Sequence, residues 1–549
     1  MATVRSDAGR EVVGSAARPL VLLFAITLFG LWLRVIAVGT MPLWSDEALT
    51  LLISKWPIGT LLFRPVDPTP ALYYLLHKML IPGNADVTQI RSISVVCGVV
   101  LIPVTYAFGS LIGGIRTGLL ASFFVALSAQ LVDYSQEARA YSLLVLLILT
   151  SAIGLLKILR VIIDGPSFDY RRAAAFAVPA LLAFYTHFVA VFWIIPAFGA
   201  LLFVALTRGD PAIWRGLRLT VLAFILLAVP GLARLFWSVT SDIGFNWLHQ
   251  ATGRQFLATV GEVLMPLGVW PEKLEQPGRI LTAVALIITL FAVCWLCRQF
   301  RLQLHQWRVE YPASLLVLGI FLALPFELWA IGFLTTPIFM PRTMLWAIPG
   351  YLTSLAVVLD RVNSRWIIGL TATVCATSLA ASGTLRSDRQ DTRGFQREIA
   401  RGEQRGDVLL LCRDWRAPEL RYAAGAPLAM PLIAPMFQDM SVIERQFGSD
   451  TRWQEHFGWL VGRPVVIPKV SMIATSGRAW LLASGCSEYD RVRFNRWLGP
   501  GRWVKVRSDT STALLPIVLW RFDPAAPPKL RPVLDFSQNG ENHPFAPNA

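Results

Sequence analysis

Charge is scarce in this chain. Only 15% of its 549 residues are Asp, Glu, Lys or Arg, while 55% are hydrophobic and the mean hydropathy is +0.54. A water-soluble globule of that composition would expose too much apolar surface, which excludes one and calls for a polytopic α-helical membrane protein. Acids are scarcer than bases, 35 against 50, for a formal net charge of +15. Such an excess would suit nucleic acid. The arginines, however, fall mostly in short loops between apolar segments rather than on one polar face, so the excess is read as membrane topology, with no nucleic-acid partner. Cysteine is limited to six residues. Cys97, Cys294, Cys297 and Cys375 sit inside apolar runs, and Cys294 and Cys297 have no nearby histidine or second cysteine pair to complete a metal site, so they are read as helix packing. Cys412 and Cys486 lie in the polar C-terminal part and can pair if that part is extracytoplasmic, which the sequence leaves open. No internal repeat of fixed period is visible.

What the chain does have is a succession of apolar windows, each about the length a helix needs to cross a bilayer. Eleven are counted, at roughly 19–40, 92–112, 117–132, 142–163, 173–187, 188–207, 219–238, 279–298, 312–334, 343–360 and 365–383. The fifth and sixth divide one run of about 35 residues, which would overshoot the bilayer as a single span; Tyr185-Thr186-His187 is its only polar interruption. With that division Arg5, Arg10 and Arg18, Arg116, the stretches 157–172, 208–218 and 298–308, and Arg361 to Arg365 all fall on one side. The positive-inside rule makes that side the cytoplasm, with the amino terminus inside and the carboxyl terminus outside. The first window competes with a signal peptide, since Ala37-Val38-Gly39 loosely resembles a cleavage site, but its apolar run is long for a signal core. Residues 1–383 are therefore expected to form the transmembrane domain. Residues 384–549 are expected to form a soluble, extracytoplasmic α/β domain, with strand-like Asp407 to Cys412 and Ala479 to Ala483, helix-like Thr392 to Glu403, and a poorly ordered Pro- and Asn-rich tail from Pro524.

The unusual polar residues collect in the outer loops. Asp46 and Glu47 follow the first window beside Trp44, and the stretch from Ala48 to Trp56 is amphipathic. One of the two carboxylates can face a substrate while the other orients it or makes a structural contact, because consecutive side chains diverge on a helix or a strand. The short run from Asp133 to Tyr141 holds Tyr134 and Gln136, which can donate hydrogen bonds, Arg139, which can grip a phosphate or carboxylate, and Glu137, which can pair with that arginine. Arg91, His187 and Arg342 stand at outer helix ends, against the positive-inside trend, and together suggest a bound anion; a lipid phosphate is the one most available there. Glu327, near the middle of the ninth window, is costly in a membrane, by about 3 kcal/mol on insertion scales, and calls for a partner such as Arg34 or Arg234 or for a functional role.

These residues together resemble a family. Trp44-x-Asp46-Glu47, the run from Asp67 to His77, Arg91-Ser92-Ile93-Ser94, the string from Tyr134 to Tyr141, Tyr185-Thr186-His187-Phe188 and Pro341-Arg342 look like bacterial family 39 glycosyltransferases of the GT-C fold, similar to protein O-mannosyltransferases and the lipid A aminoarabinose transferase. The resemblance covers residues 20–383. It implies inverting transfer of one sugar from a polyprenyl-phosphate donor to a glycolipid, lipid A, polysaccharide or protein acceptor, at the outer face of a bacterial inner membrane. Asp46 matches the catalytic acid and would be the general base, Glu47 would support it, and Arg139, His187 and Arg342 would hold the leaving phosphate. Asp67, Arg91, Tyr134, Gln136 and Glu137 complete the expected substrate contacts. Members often read Asp-x-His-Pro-Pro-Leu-Tyr-Tyr where this chain has Thr69 in place of the histidine, which makes a divalent ion there less expected; no cofactor is implied. A transporter or lipid flippase is the alternative, disfavoured because no inverted repeat is visible and the polar residues sit in loops rather than at mid-membrane. A third reading places function in the outer domain alone.

Overall fold

The computed structural model describes residues 5–40, 43–63, 69–83, 85–165, 167–240, 250–264, 312–335, 337–362, 365–381, 392–404, 407–411, 432–433, 478–484, 501–509 and 517–525. The chain divides into two compact units: 1–39 with 56–386, and 40–55 with 387–549. In chain order the helices are α1 (Arg5–Val35), α2 (Ser45–Ser54), α3 (Ile58–Phe63), α4 (Leu72–Leu80), α5 (Val87–Gly113), α6 (Ile115–Leu127), α7 (Ala129–Ser135), α8 (Tyr141–Asp164) and α9 (Tyr170–Thr186). After a 3-10 turn at Phe188–Ala190 come α10 (Val191–Arg208), α11 (Pro211–Thr240), α12 (Gly253–Leu264) and α13 (Pro312–Ile331). Two further 3-10 turns, Pro341–Thr343 and Leu345–Ala347, lead to α14 (Ile348–Val362), α15 (Arg365–Ala381) and α16 (Thr392–Gly402).

The first unit is helical and built to cross a membrane. Among the described residues seven stretches are long and apolar enough to do so: Arg18–Val35, Val87–Gly113, Tyr141–Asp164, Phe188–Arg208, Pro211–Phe236, Pro312–Ile331 and Leu345–Val362. The pair α6 and α7, bent by 60°, passes the same test when taken as one broken span. α9 and α15, each 17 residues long, occupy two of the remaining windows, and the window at 279–298, with Cys294 and Cys297, lies outside the described residues. The long run does divide where its polar interruption stands: α9 stops at Thr186, and His187 is extended, with φ −159° and ψ 132°.

The window expected at 117–132 is broken rather than straight. Ser128 takes an extended conformation (φ −62°, ψ 114°), so the last carbonyls of α6 have no helical partner. The fully buried Arg34 of α1 supplies one: its guanidinium donates to the carbonyls of Val125 and Ala126 at 3.3 Å each and to that of Gly30 at 3.0 Å. Three expected loop residues, Asp133 to Ser135, consequently stand in the last turn of α7.

Hydrogen bonds and ion pairs sort the helix ends into two sets. Arg91, opening α5, reaches the Val38 carbonyl just past α1 (2.6 Å), and Gln136, just past α7, donates through Nε2 to the Leu33 carbonyl (3.1 Å). At the other end Arg116 of α6 pairs with Asp360 of α14 at 3.3 Å, and Thr117 donates to the same carboxylate at 2.9 Å. Between them lies a dry core in which Trp193, Phe321 and Trp346 pack ring on ring, with centroids 5.2 to 6.1 Å apart. α8 and α9 approach so closely that a Cβ on Gly154 would sit 2.4 Å from the Ala175 backbone.

The second unit is α/β where it is described. Its sheet runs in the order β2 (Leu432–Ile433), β1 (Val408–Leu411), β3 (Ala479–Ser484), β5 (Ile517–Pro524), β4 (Gly501–Asp509). β2, β1 and β3 are parallel; β5 and β4 join antiparallel. α16 buries Phe395 and Ile399, spaced one turn apart as a single apolar face requires. Asp407, 3% exposed, accepts from Arg478 Nη2 at 2.9 Å and from Trp480 Nε1 at 2.8 Å, satisfying a carboxylate that burial would otherwise penalise. Cys412, Cys486 and the tail after residue 525 lie outside the described residues.

Candidate functional site

Asp46 and Glu47 occupy the first turn of α2, where carboxylates complement the helix dipole. Their environments differ. Glu47 is fully buried and its carboxylate accepts from the Trp44 backbone N–H at 3.3 Å, reaching back to the residue before the helix as the acidic half of a capping box does. Asp46 is half-buried, and its carbonyl accepts from Thr50 Oγ1 at 3.0 Å. The helix start thus engages one carboxylate as a cap, and the other is the more accessible.

In the helical unit, three segments far apart in sequence meet at the end defined by Arg91 and Gln136. Tyr134 closes α7, and its ring stands edge-on to Tyr141, the first residue of α8, at 5.3 Å and 79°. Tyr141 in turn lies 5.6 Å from the ring of His187, past the end of α9. The Tyr134 phenol is within electrostatic reach of Asp133, Glu137 and Arg342, the last from the Pro341–Thr343 turn. His187 Nδ1 accepts from the Val189 N–H at 3.2 Å, which leaves the neutral ring's proton on Nε2. Arg342 turns its Nε toward Met340 Sδ.

Between Tyr134 and Tyr141 the chain makes a tight turn whose side chains are buried: Gln136 is 0%, Glu137 6% and Arg139 8% exposed. Its backbone is held from three sides. Arg139 N–H donates to the Glu137 carbonyl (2.8 Å), Ser142 Oγ to the Tyr134 carbonyl (2.9 Å), and Ser94 Oγ of α5 to the Arg139 carbonyl (3.2 Å). The structure therefore brings together Tyr134, Glu137, His187 and Arg342, with Gln136 and Arg139 on the same turn. Arg91 is fully buried at the same end and bonded to the Val38 carbonyl. Asp67 lies outside the described residues.

One expectation is overturned. Arg34 donates to the carbonyls at the α6–α7 break, and Arg234 donates to the carbonyls of Leu61 (2.7 Å) and Thr69 (2.9 Å). Neither pairs with Glu327, whose Oε2 has no hydrogen-bond partner among the described residues. Backbone carbonyls exposed by a broken helix and by the loop before α4 compete for a guanidinium, and in a dry interior a nearby orphan carbonyl wins. Sequence reading also missed Tyr141, the ring that links Tyr134 to His187; its signal was the aromatic pair bracketing the polar string. Among the described residues no group of three His, Cys, Asp or Glu side chains is arranged to hold a metal ion.

Multiple membrane-crossing helices, a polar turn at one membrane face and a separate α/β sheet are the architecture of the GT-C fold, which this chain has. Among solved structures it resembles ArnT from Cupriavidus metallidurans. The apo form matches with a TM-score of 0.54 at 12% identity, covering 92% of this chain and 98% of that one. The form bound to undecaprenyl phosphate matches with a TM-score of 0.52 at 13% identity, over 91% and 97%. At such identity the likeness is one of fold. No family model and no curated protein sequence matches the chain.

Proposed function

We propose that the protein is a membrane glycosyltransferase that moves a single sugar from a polyprenyl-phosphate donor to a lipid, glycan or protein acceptor at the outer face of a bacterial inner membrane. The observation that carries this reading is the convergence of Tyr134, His187 and Arg342, from three separate segments, beside the turn of Gln136, Glu137 and Arg139. The fold likeness to a protein solved with undecaprenyl phosphate supports it.

The acceptor hydroxyl attacks the anomeric carbon while Asp46 takes its proton. The bond from that carbon to the phosphate oxygen breaks with inversion, and the polyprenyl phosphate departs with the electron pair. It needs no proton, because Arg139, Arg342 and the Nε2–H of His187 stabilise the charge that grows on it. Asp46 is the base rather than Glu47, since Glu47 is engaged as the cap of its own helix. Arg91, Asp67, Tyr134, Gln136 and Glu137 complete the donor and acceptor contacts in this reading.

The test is transfer by the purified protein in liposomes supplied with polyprenyl-phosphate sugars. Asp46→Asn is expected to keep the wild-type fold and lose at least about 100-fold in turnover. Near-normal turnover by that variant would remove Asp46 from the mechanism. Mass spectrometry of envelope lipids and glycans from a deletion strain names the sugar and the acceptor, through the single residue that goes missing.

A further inference from the structure

α4 carries three aromatic residues on its buried face, Tyr73, Tyr74 and His77, and no step above uses them. Tyr73 is 1% exposed and belongs to a small cluster apart from the main core, with Ile93 and Cys97 of α5, Ala140, and Leu143 of α8. Inside that apolar patch runs a polar chain. Tyr73 Oη lies 2.9 Å from Ser94 Oγ, and Ser94 Oγ lies 3.2 Å from the Arg139 carbonyl, with Ser94 fully buried. Proton counting fixes its direction. A carbonyl only accepts, so the single hydroxyl proton of Ser94 goes to Arg139 and the Tyr73 phenol must be the donor to Ser94. Each bond polarises the next, and in a dry site a missing link leaves the remaining partner unsatisfied.

We propose that Tyr73 and Ser94 are positioning residues for Arg139: they tie its backbone to α4 and α5 and so set where its guanidinium meets the donor phosphate. This inference rests on the phosphate role given to Arg139 above. It also assigns α4 a task, as a strut behind the turn rather than a passive part of the outer loop. Ser94→Ala removes both hydrogen bonds, whereas Tyr73→Phe leaves the bond from Ser94 to Arg139 in place. The effects should therefore be ordered, with Ser94→Ala the larger.

The experiment measures binding of undecaprenyl phosphate to the detergent-purified full chain, with Arg139→Ala as reference and thermal melting as control. Ser94→Ala is expected to weaken binding about 10-fold and Tyr73→Phe about 3-fold, with Ser94→Thr, which keeps the hydroxyl, near wild type. In transfer assays the same variants should raise KM for the donor and lower kcat as well, because Arg139 also stabilises the charge that grows on the leaving phosphate. If Arg139→Ala binds as wild type does, the phosphate role of Arg139 fails and this inference falls with it. If Arg139→Ala weakens binding while Ser94→Ala and Tyr73→Phe do not, the positioning role alone is wrong. Equal losses in Ser94→Ala and Ser94→Thr would likewise overturn it, since packing and not the hydroxyl would then matter. Should Ser94→Ala fail to fold, Tyr73→Phe decides by the same criterion.

Discussion

His77 shows what burial does to a single residue of this chain. It is 2% exposed, its Nε2 has no hydrogen-bond partner among the described residues, and burial lowers its pKa from 6.5 to about 4 despite a hydrogen bond to the Ile90 backbone. The folded state therefore holds the ring neutral where the unfolded chain would protonate it. Below pH 6.5 the unfolded state binds the extra proton, so the stabilisation is complete above that pH and is lost as pH falls toward 4. At about 1.4 kcal/mol per pH unit the loss is on the order of 3 kcal/mol. Thermal melting of the purified protein should drop across this window, and that of His77→Leu should drop less; parallel curves would show that other groups set the acid limit. The same logic of environment separates Asp46 from Glu47, which are adjacent in sequence but of which one is half-buried and the other fully buried.

At the level of elements, the break between α6 and α7 matters most. It lets the chain end α7 at Ser135 and turn through Gln136 to Ala140, which a straight helix would carry past. Arg34 stabilises the break by taking the two carbonyls it exposes. Arg34→Met keeps most of the apolar volume and leaves both carbonyls unsatisfied, so a destabilisation of about 3 kcal/mol is expected, read as a lower melting temperature. Transfer activity should fall with it, since the turn bearing Arg139 hangs from the bent pair. A melting temperature equal to wild type would mean that lipid or water supplies the missing donors. Nothing in the residue pattern announced this break. Hydropathy averages over the whole window, and one extended serine does not alter the average.

For the whole molecule the question is sidedness. Gly83, in the turn before α5, and Gly165, after α8, lie at opposite ends of the helical unit, and an added Cβ would meet nothing within 4 Å at either. With the native cysteines replaced, Gly83→Cys is expected to react with a membrane-impermeant maleimide in intact cells and Gly165→Cys only after lysis. The reverse pattern would put Tyr134, His187 and Arg342 on the cytoplasmic face and rule out an outer-face reaction. The positive charges argue for the first outcome, because Arg116, Arg171, Arg172 and Arg361 gather at the Gly165 end.

Much of this architecture is legible in the residues alone. Apolar windows of bilayer length place helices, since an unpaired backbone group in hydrocarbon is too costly for any other open structure. The strands at 408–411 and 479–484 and the helix at 392–402 stand where alternation and helical spacing put them. The string from Tyr134 to Tyr141 is visible as a concentration of polar groups between two apolar windows, where the membrane discourages them. What required tertiary structure is every contact at long range: Arg34 with the α6 carbonyls, Tyr141 with His187, Tyr73 through Ser94 with Arg139. A guanidinium or a hydroxyl is equally suited to many acceptors, so composition and spacing limit the choices without making one. Packing makes it, by deciding which acceptor lies within about 3 Å once water is gone.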